Sequence, residues 1–313
     1  MIQGQISNKG RLRSALTYIL FQLKTIWLFT LSDLKTIVFP SSIFGLVGAI
    51  AGPPITTEPL PLYFVLQRGP VVILWTWSTL LPFDINNQNH RDAITEDAVN
   101  KPWRPLPLKR ISTTTAHYLM IGLYMTNVIV SYYMGVLNQS VVLIVLGTWY
   151  NRLGGADRSC FEKNLINSLG YTAFITGALA VVLDSQSTGI TFGWLSVPWF
   201  AIIATIIFTT VHAQDLADME GDAARGRQTV PLVIGETPAR LIIDIMVPLW
   251  SIIAPYGLKS NFRGYLGPVV LAAVICPRVY WCRTKRADDI TFILWNVWIM
   301  SIYAIPLSVA GVG

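Results

Sequence analysis

Apolar stretches of about 20 residues recur along nearly the whole chain, and they constrain its fold more than any other feature of the sequence. Each stretch is long enough to cross the roughly 30 Å hydrocarbon core of a bilayer as an α-helix. Only 13% of the residues are charged, against about 25% in an ordinary soluble domain. The sequence therefore predicts an all-α polytopic membrane protein without a separate soluble domain.

The apolar periodicity predicts nine transmembrane helices. They fall at residues 32–52, 64–83, 113–135, 140–153, 165–183, 195–214, 239–256, 266–281 and 290–310. Residues 17–31 are apolar but interrupted by Gln22 and Lys24, which is typical of an amphipathic helix at the membrane interface. We therefore expect a cytoplasmic N-terminal segment, 1–31, and one nine-helix transmembrane domain, 32–313.

Positive charges in the loops give an independent test of this topology. The N-terminal segment and the connections after the second, fourth, sixth and eighth predicted helices are basic, whereas the other connections hold little beyond Lys259 and Arg263. By the positive-inside rule the basic loops and the N-terminus are cytoplasmic, so the number of helices is odd. The net charge of +6 is thereby explained without a nucleic-acid partner, since no basic patch is interleaved with exposed aromatic residues.

An acidic motif follows the sixth predicted helix. Asp215, Asp218 and Asp222 are spaced by three and four residues, so they share one face of a continuing helix. Carboxylates at the end of a membrane helix repel one another and need a counter-ion, and oxygen ligands suit Mg²⁺ completed by substrate phosphates. The alternative is a solvated acidic helix end that merely terminates the span.

A second polar segment, residues 83–107, follows the second predicted helix on the same side of the membrane. It mixes Asn and Asp oxygens with lysine and arginine side chains, the composition expected at a metal-bridged diphosphate. Alone it is equally consistent with a polar loop. Paired with the later acidic motif, it predicts a shared diphosphate site.

These two motifs resemble those of the UbiA superfamily of intramembrane prenyltransferases. The segments that carry the likeness are Asp215-x-x-Asp218-x-x-x-Asp222, Gly226-x-x-Thr229-x-Pro231 and Asn89-x₇-Asp97-x-x-Asn100-Lys101-Pro102-x-Arg104-Pro105. The resemblance implies nine helices around a central cavity, with two acidic motifs that bind Mg²⁺ and a prenyl diphosphate. It also implies that the bilayer surrounds the site and that no obligate protein partner is needed.

The resemblance assigns roles to particular residues. Metal binding is expected of Asn89, Asp97, Asp215, Asp218 and Asp222. Diphosphate contacts are expected of Lys101, Arg104, Lys163, Asn164, Arg225 and Arg227. Catalytic roles are expected of Lys163, Tyr150 and Asp215, which would hold the diphosphate or trigger its departure.

The first motif departs from the usual transferase pattern. His90 and Ala93 stand where the first two aspartates are expected, and Asp92 or Glu96 could substitute for them. His90 itself could contact the diphosphate as a cation or be a solvated loop residue. This form of the motif is similar to fungal UbiA-like proteins, a branch that includes membrane-bound sesquiterpene cyclases, and it implies residence in the endoplasmic reticulum of a fungus.

We therefore expect an enzyme that ionises farnesyl diphosphate with Mg²⁺ and cyclises it to a sesquiterpene, releasing pyrophosphate. The alternative is a prenyltransferase that joins a polyprenyl chain to an aromatic or other acceptor. A cation-coupled transporter is disfavoured because the acids lie at helix ends beside diphosphate-type cations. Ten aromatic residues of the predicted spans could face carbocations, and about a third of them are expected to do so. These are Trp75, Trp77, Tyr118, Tyr124, Tyr171, Phe174, Trp194, Trp199, Trp295 and Trp298.

Overall fold

The computed structural model describes residues 8–53 and 55–309, and in this part of the chain the only β-structure is two isolated bridges. Its α-helices are α1 (Asn8–Thr30), α2 (Phe39–Ala51), α3 (Leu62–Gln88), α4 (Arg91–Asn100), α5 (Thr113–Tyr133), α6 (Leu137–Asn151), α7 (Gly155–Arg158), α8 (Cys160–Leu183), α9 (Ser185–Thr188), α10 (Ser196–Thr210), α11 (Asp215–Arg225), α12 (Val230–Ile234), α13 (Glu236–Gly257), α14 (Arg263–Trp281) and α15 (Lys285–Tyr303). A π-helical turn, Leu34–Val38, precedes α2, and 3₁₀ turns occur at Val211–Gln214 and Ile305–Ser308.

Five helical stretches in the described residues are long and apolar enough to cross a membrane. They are Leu34–Ala51, Cys160–Thr188, Ser196–Arg225, Glu236–Gly257 and Arg263–Trp281. An α-helix satisfies its own backbone hydrogen bonds, which hydrocarbon cannot do, so helices are the expected form of these sequences. The all-helical prediction is thus confirmed.

Helices α3, α5, α6 and α15 coincide with the four remaining predicted spans, but they are more polar or shorter. Helix α6 has 15 residues, and α3 carries Arg68 and Asp84. The count of nine spans therefore stays a prediction. Helix α3 also continues to Gln88, past the predicted end at residue 83, with Pro70 and Pro82 inside it. This extension places Asp84 and Asn87 on a helix rather than in a loop.

Helix α8 lies at the centre of the packing, against α2, α3, α6 and α10. Glycines permit the close approaches. A Cβ at Gly45 of α2 would lie 2.8 Å from the backbone of Ala178, and one at Gly177 would overlap the Trp75 ring of α3. The tight contacts hold the α8 residues that face the cavity described below.

The N-terminal helix α1 covers the predicted amphipathic segment, 17–31. Its side chains are exposed from Ser14 to Phe21, while Thr25, Phe29 and Thr30 near its end are buried. The buried end is fixed to α3, because the Gln88 amide donates to the carbonyl of Phe29 at 2.8 Å. The C-terminal part of helix α1 is thus buried against the body of the protein.

Candidate active site

A cavity of about 1220 Å³, including the space that opens to solvent, lies among α3, α6, α8 and the two motif helices α4 and α11. One part of its wall is charged, and includes Lys101, Arg104, Lys163, Asp215, Asp218, Asp222 and Arg227. Another part is apolar and aromatic, and includes Ile37, Leu80, Leu143, Ile144, Tyr171 and Phe174. The cavity can therefore hold an amphipathic molecule with an anionic head.

The second acidic motif forms α11, which begins directly after a 3₁₀ turn. Asp215, Asp218 and Asp222 all line the cavity, as their spacing predicts. Lys163 of α8 donates to Asp215 Oδ1 at 2.7 Å, and its Nζ lies 4.0 Å from Asp222 Oδ2. Lys163, Asp215 and Asp222 are all at most 2% exposed. Charges this deeply buried persist because they are paired.

The first motif consists of α4 and the residues on either side of it, including Lys101 and Arg104. Lys101 donates to Asp218 Oδ2 at 2.7 Å, and Arg104 donates to Asp97 Oδ1 at 2.7 Å. Lys101 and Arg104 line the cavity, whereas Asp97 lies behind Arg104, outside the lining. Burial raises the pKa of Asp97, and Arg104 opposes this without cancelling it. Burial would lower the pKa of Lys101, but the Asp218 carboxylate outweighs it and raises that pKa.

The two motif helices pack directly against each other. The Asn100 amide donates to the Asp218 carbonyl at 2.9 Å and accepts from the Gly221 amide at 3.2 Å. A Cβ at Gly221 would overlap this amide group, so glycine is needed for the approach. The contact brings Lys101 and Arg104 of the first motif to the same cavity as the three aspartates of the second.

The two arginines at the C-terminal end of α11 are held by acidic residues. Arg225 donates to Glu96 at 3.0 Å and to Asp157 at 3.2 Å. Arg227 donates to the same two carboxylates at 3.1 Å and to Asp222 at 3.4 Å. Arg227 and Glu96 line the cavity, and Arg225 does not. The sequence left open whether Glu96 substitutes for a missing aspartate of the first motif. In the structure Glu96 takes a structural part in the site, because it pairs with both arginines.

Three other predicted residues have different positions. Tyr150 lines the cavity, with its ring 5.7 Å from that of Phe83. The Asn164 amide donates to the Phe208 carbonyl at 3.2 Å, and the Asn89 amide donates to the Thr113 carbonyl at 3.1 Å. Neither Asn164 nor Asn89 is part of the cavity lining. Metal binding by Asn89 and diphosphate binding by Asn164 therefore stay predictions, and neither residue lines the cavity.

His90 also lies outside the lining, next to the helix end. Burial lowers its pKa, and the nearby Arg152 and Arg225 lower it further. These effects together favour the neutral imidazole. A cationic contact with the diphosphate is not favoured.

Several polar residues of the lining had no predicted role, among them Asp33, Asp84 and Asn87. Asp84 and Asn87 are three residues apart on α3 and so share one helix face. The available signal was an ionisable residue at the end of a predicted span, which is costly unless it faces the protein interior. Asp33 gives the same signal at the start of the first predicted span.

The carboxylates of the cavity fit a Mg²⁺ ion that takes only part of its ligands from the protein. Among the described residues, no three His, Cys, Asp or Glu side chains converge as a ready-made ligand set. The carboxylates of the two motifs are instead paired with lysine and arginine side chains. Asp215 Oδ2 and Asp222 Oδ2 are nevertheless buried without a hydrogen-bond partner. Mg²⁺ commonly uses one or two carboxylates and takes its other ligands from water and substrate phosphates, which suits this donor set.

The apolar helices and the internal charged cavity define an integral membrane protein with a binding site among its helices. The sequence profile of the UbiA prenyltransferase family matches residues 89–300, and the chain belongs to this family. The resemblance predicted from the two motifs is thus confirmed.

Two relatives are similar over most of their length. The chain is 31% identical to the fumagillin beta-trans-bergamotene synthase af520 of Aspergillus fumigatus, over 91% of this chain and 92% of the relative. It is 29% identical to the polyprenyl transferase eriF of Hericium erinaceus, over 86% of this chain and 88% of the relative. UbiA-type relatives therefore include both terpene synthases and prenyltransferases.

The fold is also similar to a solved structure. A UbiA homologue from Archaeoglobus fulgidus, bound to GPP and Mg²⁺, superposes with a TM-score of 0.56 at 13% identity. The match covers 89% of this chain and 100% of that one. At this identity the likeness establishes the fold alone.

Proposed function

We propose that the protein ionises an allylic prenyl diphosphate, farnesyl diphosphate, and cyclises the resulting cation to a sesquiterpene. The observation that carries the proposal is the cavity itself, with paired lysines and carboxylates at one part of its wall and an apolar, aromatic lining at another. A prenyl diphosphate has the same two parts, a charged diphosphate head and an apolar prenyl tail. Family membership and the relatives in terpene and prenyl chemistry support it.

In this proposal Lys101, Arg104, Lys163 and Arg227 bind the diphosphate oxygens and stabilise the negative charge as it leaves. Fixed cations stabilise developing charge strongly, since they need no reorganisation during the reaction. Asp215, Asp218 and Asp222 would hold Mg²⁺, with Asp97 and Asn89 as further candidates. When bound, Mg²⁺ supplies charge neutralisation at the leaving group.

Tyr150, at the cavity wall beside Phe83, is assigned to the region where the leaving group separates. Asn164 and Arg225 remain candidates for orienting the diphosphate through their neighbours. The apolar wall then excludes water from the cation, which leaves its own alkenes as the available nucleophiles. Tyr171 and Phe174 offer ring faces to the positive charge.

A second candidate is transfer of the prenyl chain to an aromatic or other acceptor. The 29% identity to a polyprenyl transferase over most of both chains favours it. The two reactions share ionisation and differ only in the nucleophile that captures the cation. They are therefore separated by the need for an acceptor.

The test uses membranes that contain the protein, incubated with geranyl, farnesyl or geranylgeranyl diphosphate and Mg²⁺ without an acceptor. Volatile hydrocarbons are analysed by mass spectrometry, and pyrophosphate release is measured. A cyclic C15 hydrocarbon that disappears in Asp215→Ala is the expected result. Asp184→Ala is the matched control, because Asp184 pairs with Arg68 at 3.4 Å and lies outside the cavity lining.

Other outcomes discriminate the alternatives. Mg²⁺-dependent binding of a prenyl diphosphate without any hydrocarbon favours the transferase. Absence of binding by all three substrates contradicts the whole diphosphate proposal. Loss of product in Asp184→Ala as well as in Asp215→Ala would mean that the assay reports folding rather than the site.

The orientation in the membrane is part of the same proposal. We propose that α2, α3, α5, α6, α8, α10, α13, α14 and α15 all cross the bilayer and that 32–313 is one domain. Segment 1–31, with α1 at the interface, and the motif helices α4 and α11 then face the cytoplasm, as the basic loops predict. The endoplasmic reticulum of a fungus is the proposed location. Neither nucleic acid nor an obligate protein partner is part of the proposal.

A further inference from the structure

Two glycines of the described chain line the cavity, Gly147 of α6 and Gly170 of α8. They differ in the space around them. A Cβ at Gly147 would lie 3.0 Å from the ring of Phe83. A Cβ at Gly170 would meet nothing within 4 Å beyond its immediate chain neighbours and the backbone of its own helix. Gly170 therefore borders open space, whereas Gly147 does not.

Gly170 lies in the middle of the α8 face that lines the cavity. At about 100° per residue, it points within about 20° of Lys163 and about 40° of Phe174. Phe161, nine residues before Gly170, points in the opposite direction and is exposed. The open space at Gly170 is thus the interior of the cavity rather than the outer surface of the helix. The α8 residues of the lining are Lys163, Ile166, Asn167, Gly170, Tyr171 and Phe174.

Along the axis of α8, Gly170 lies beyond the charged wall. Lys163, which donates to Asp215 at 2.7 Å, precedes Gly170 by seven residues. At 1.5 Å per residue this is a separation of about 10 Å along the helix, and Phe174 lies one turn further. Gly170 therefore lies between the residues proposed to bind the diphosphate and the aromatic ring of Phe174.

This separation can be compared with the length of a prenyl chain. An extended isoprene unit spans about 5 Å, since it adds four carbon–carbon bonds of about 1.5 Å in a zigzag. With its diphosphate at Lys163, a geranyl chain of two units would end near Gly170. A farnesyl chain of three units would have to pass it. The space at Gly170 thus matters more to a longer chain than to a shorter one.

We propose that the absence of a side chain at Gly170 sets the length of prenyl chain that the cavity accepts, an inference that rests on the proposed function. The open space takes the part of a farnesyl chain that lies beyond the second isoprene unit. Burial of this unit adds affinity, because its apolar surface leaves water. A side chain at position 170 would occupy the same space, so it would disfavour longer chains in proportion to its size.

The test measures binding, so it does not depend on how the cation is captured. Purified full-length protein in detergent is given Mg²⁺ and a labelled geranyl thiolodiphosphate, which does not ionise readily. Unlabelled geranyl, farnesyl and geranylgeranyl thiolodiphosphates compete with it. In the series Gly170→Ala, Gly170→Val and Gly170→Leu, we expect the ratio of farnesyl to geranyl affinity to fall stepwise. The fall should reach about 10-fold or more in Gly170→Leu, with geranyl affinity within about threefold of the wild type.

Gly122→Leu in α5 is the matched control. A Cβ at Gly122 also meets nothing within 4 Å, but Gly122 does not line the cavity. The ratio of affinities should be unchanged in this variant. Thermal unfolding is measured for every variant, and Gly170→Ala should be at least as stable as the wild type, because alanine favours a helix more than glycine does.

Three results would overturn the inference. The first is an unchanged affinity ratio in Gly170→Leu. The second is an equal loss of affinity for both analogues, which would make Gly170 a packing position. The third is wild-type protein that binds the farnesyl analogue no more tightly than the geranyl analogue. Wild-type protein that binds none of the three analogues overturns the proposed function instead, which is a different result.

Discussion

Lys163 is a buried cation of the cavity that lies against two buried carboxylates, those of Asp215 and Asp222. Lys163→Met leaves two buried carboxylates with less compensation. We expect the free energy of unfolding to fall by about 3 kcal/mol. Pyrophosphate release should fall by about 10²-fold or more, because a fixed cation at the leaving group is lost.

Stability and activity can be separated at this pair. Lys163→Met combined with Asp215→Asn removes both charges, so thermal stability should recover while pyrophosphate release does not. Lys24→Met, on the exposed face of α1, is the control and should change neither measurement. Recovery of activity in the double variant would contradict a role for Lys163 at the diphosphate.

The sequence indicated the site residues where regular geometry or motif spacing connects them. Asp215, Asp218 and Asp222 were found because three- and four-residue spacing defines a helix face. That Asp33 and Asp84 line the same cavity could not be predicted, since nothing local to either residue encodes the packing of distant helices. Of the ten aromatic candidates, Tyr124, Tyr171 and Phe174 line the cavity, close to the expected third. Trp199 and Trp298 instead pack fully inside the core.

Helices α13, α14 and α15 are joined by a buried ion pair away from the cavity. Arg240 donates to Asp288 at 2.7 and 2.8 Å and to the Val279 carbonyl at 3.0 Å. Arg240→Met leaves the Asp288 carboxylate buried and unpaired, so we expect stability to fall by about 3–5 kcal/mol. Thermal unfolding in detergent measures the loss.

The matched double variant tests the cause. Arg240→Met with Asp288→Leu replaces the pair by apolar side chains, and stability should return toward that of the wild type. Pyrophosphate release per folded molecule should be unchanged, because neither residue lines the cavity. A loss of activity that exceeds the loss of folded protein would instead connect this pair to the reaction.

The packing of α2 against α8 depends on Gly45. Gly45→Ala places a methyl group 2.8 Å from the Ala178 backbone, which cannot move aside as a side chain could. We expect a loss of about 1–3 kcal/mol, measured by thermal unfolding. Gly122→Ala in α5 is the control, since a Cβ there meets nothing within 4 Å, and helix propensity makes it neutral or slightly stabilising.

At this scale the sequence predicted where helices occur better than where they end. The predicted span 64–83 assumed that the polar residues after Phe83 leave the helix. Helix α3 continues to Gln88 because polar residues of this turn have positions inside the protein: Asp84 and Asn87 line the cavity, and the Gln88 amide donates to the Phe29 carbonyl. Segment 83–107 was expected to be a loop and instead contains α4, whose form depends on its contact with α11.

The topology of the whole molecule can be tested by cysteine labelling. Cys282 is partly exposed at the end of α14, on the side of the basic loops. A membrane-impermeant maleimide should label it in intact microsomes, whose cytoplasmic face is outward. In a variant without native cysteines, Ser187→Cys on the opposite side should react only after detergent is added.

A different pattern would revise the topology. Labelling of the Ser187→Cys variant in intact microsomes, with protection of Cys282, would reverse the orientation predicted by the loop charges. Equal labelling of both would mean an even number of crossings between the two positions. The nine-helix proposal requires opposite sides, because α10, α13 and α14 lie between them.

Without ligands, the lysines and carboxylates of the cavity pair with one another. This pairing couples the binding of Mg²⁺ to the binding of a diphosphate. A free diphosphate would engage Lys101 and Lys163 but strand Asp218 and Asp215, and free Mg²⁺ would do the reverse. When both ligands bind, the lysines contact the diphosphate and the carboxylates contact Mg²⁺, so no charged group is left without a partner. Under the proposed function we therefore expect each ligand to raise the affinity for the other by the same factor, as linkage demands. The protein would then respond to the magnesium–diphosphate complex as one species and discriminate against either component alone.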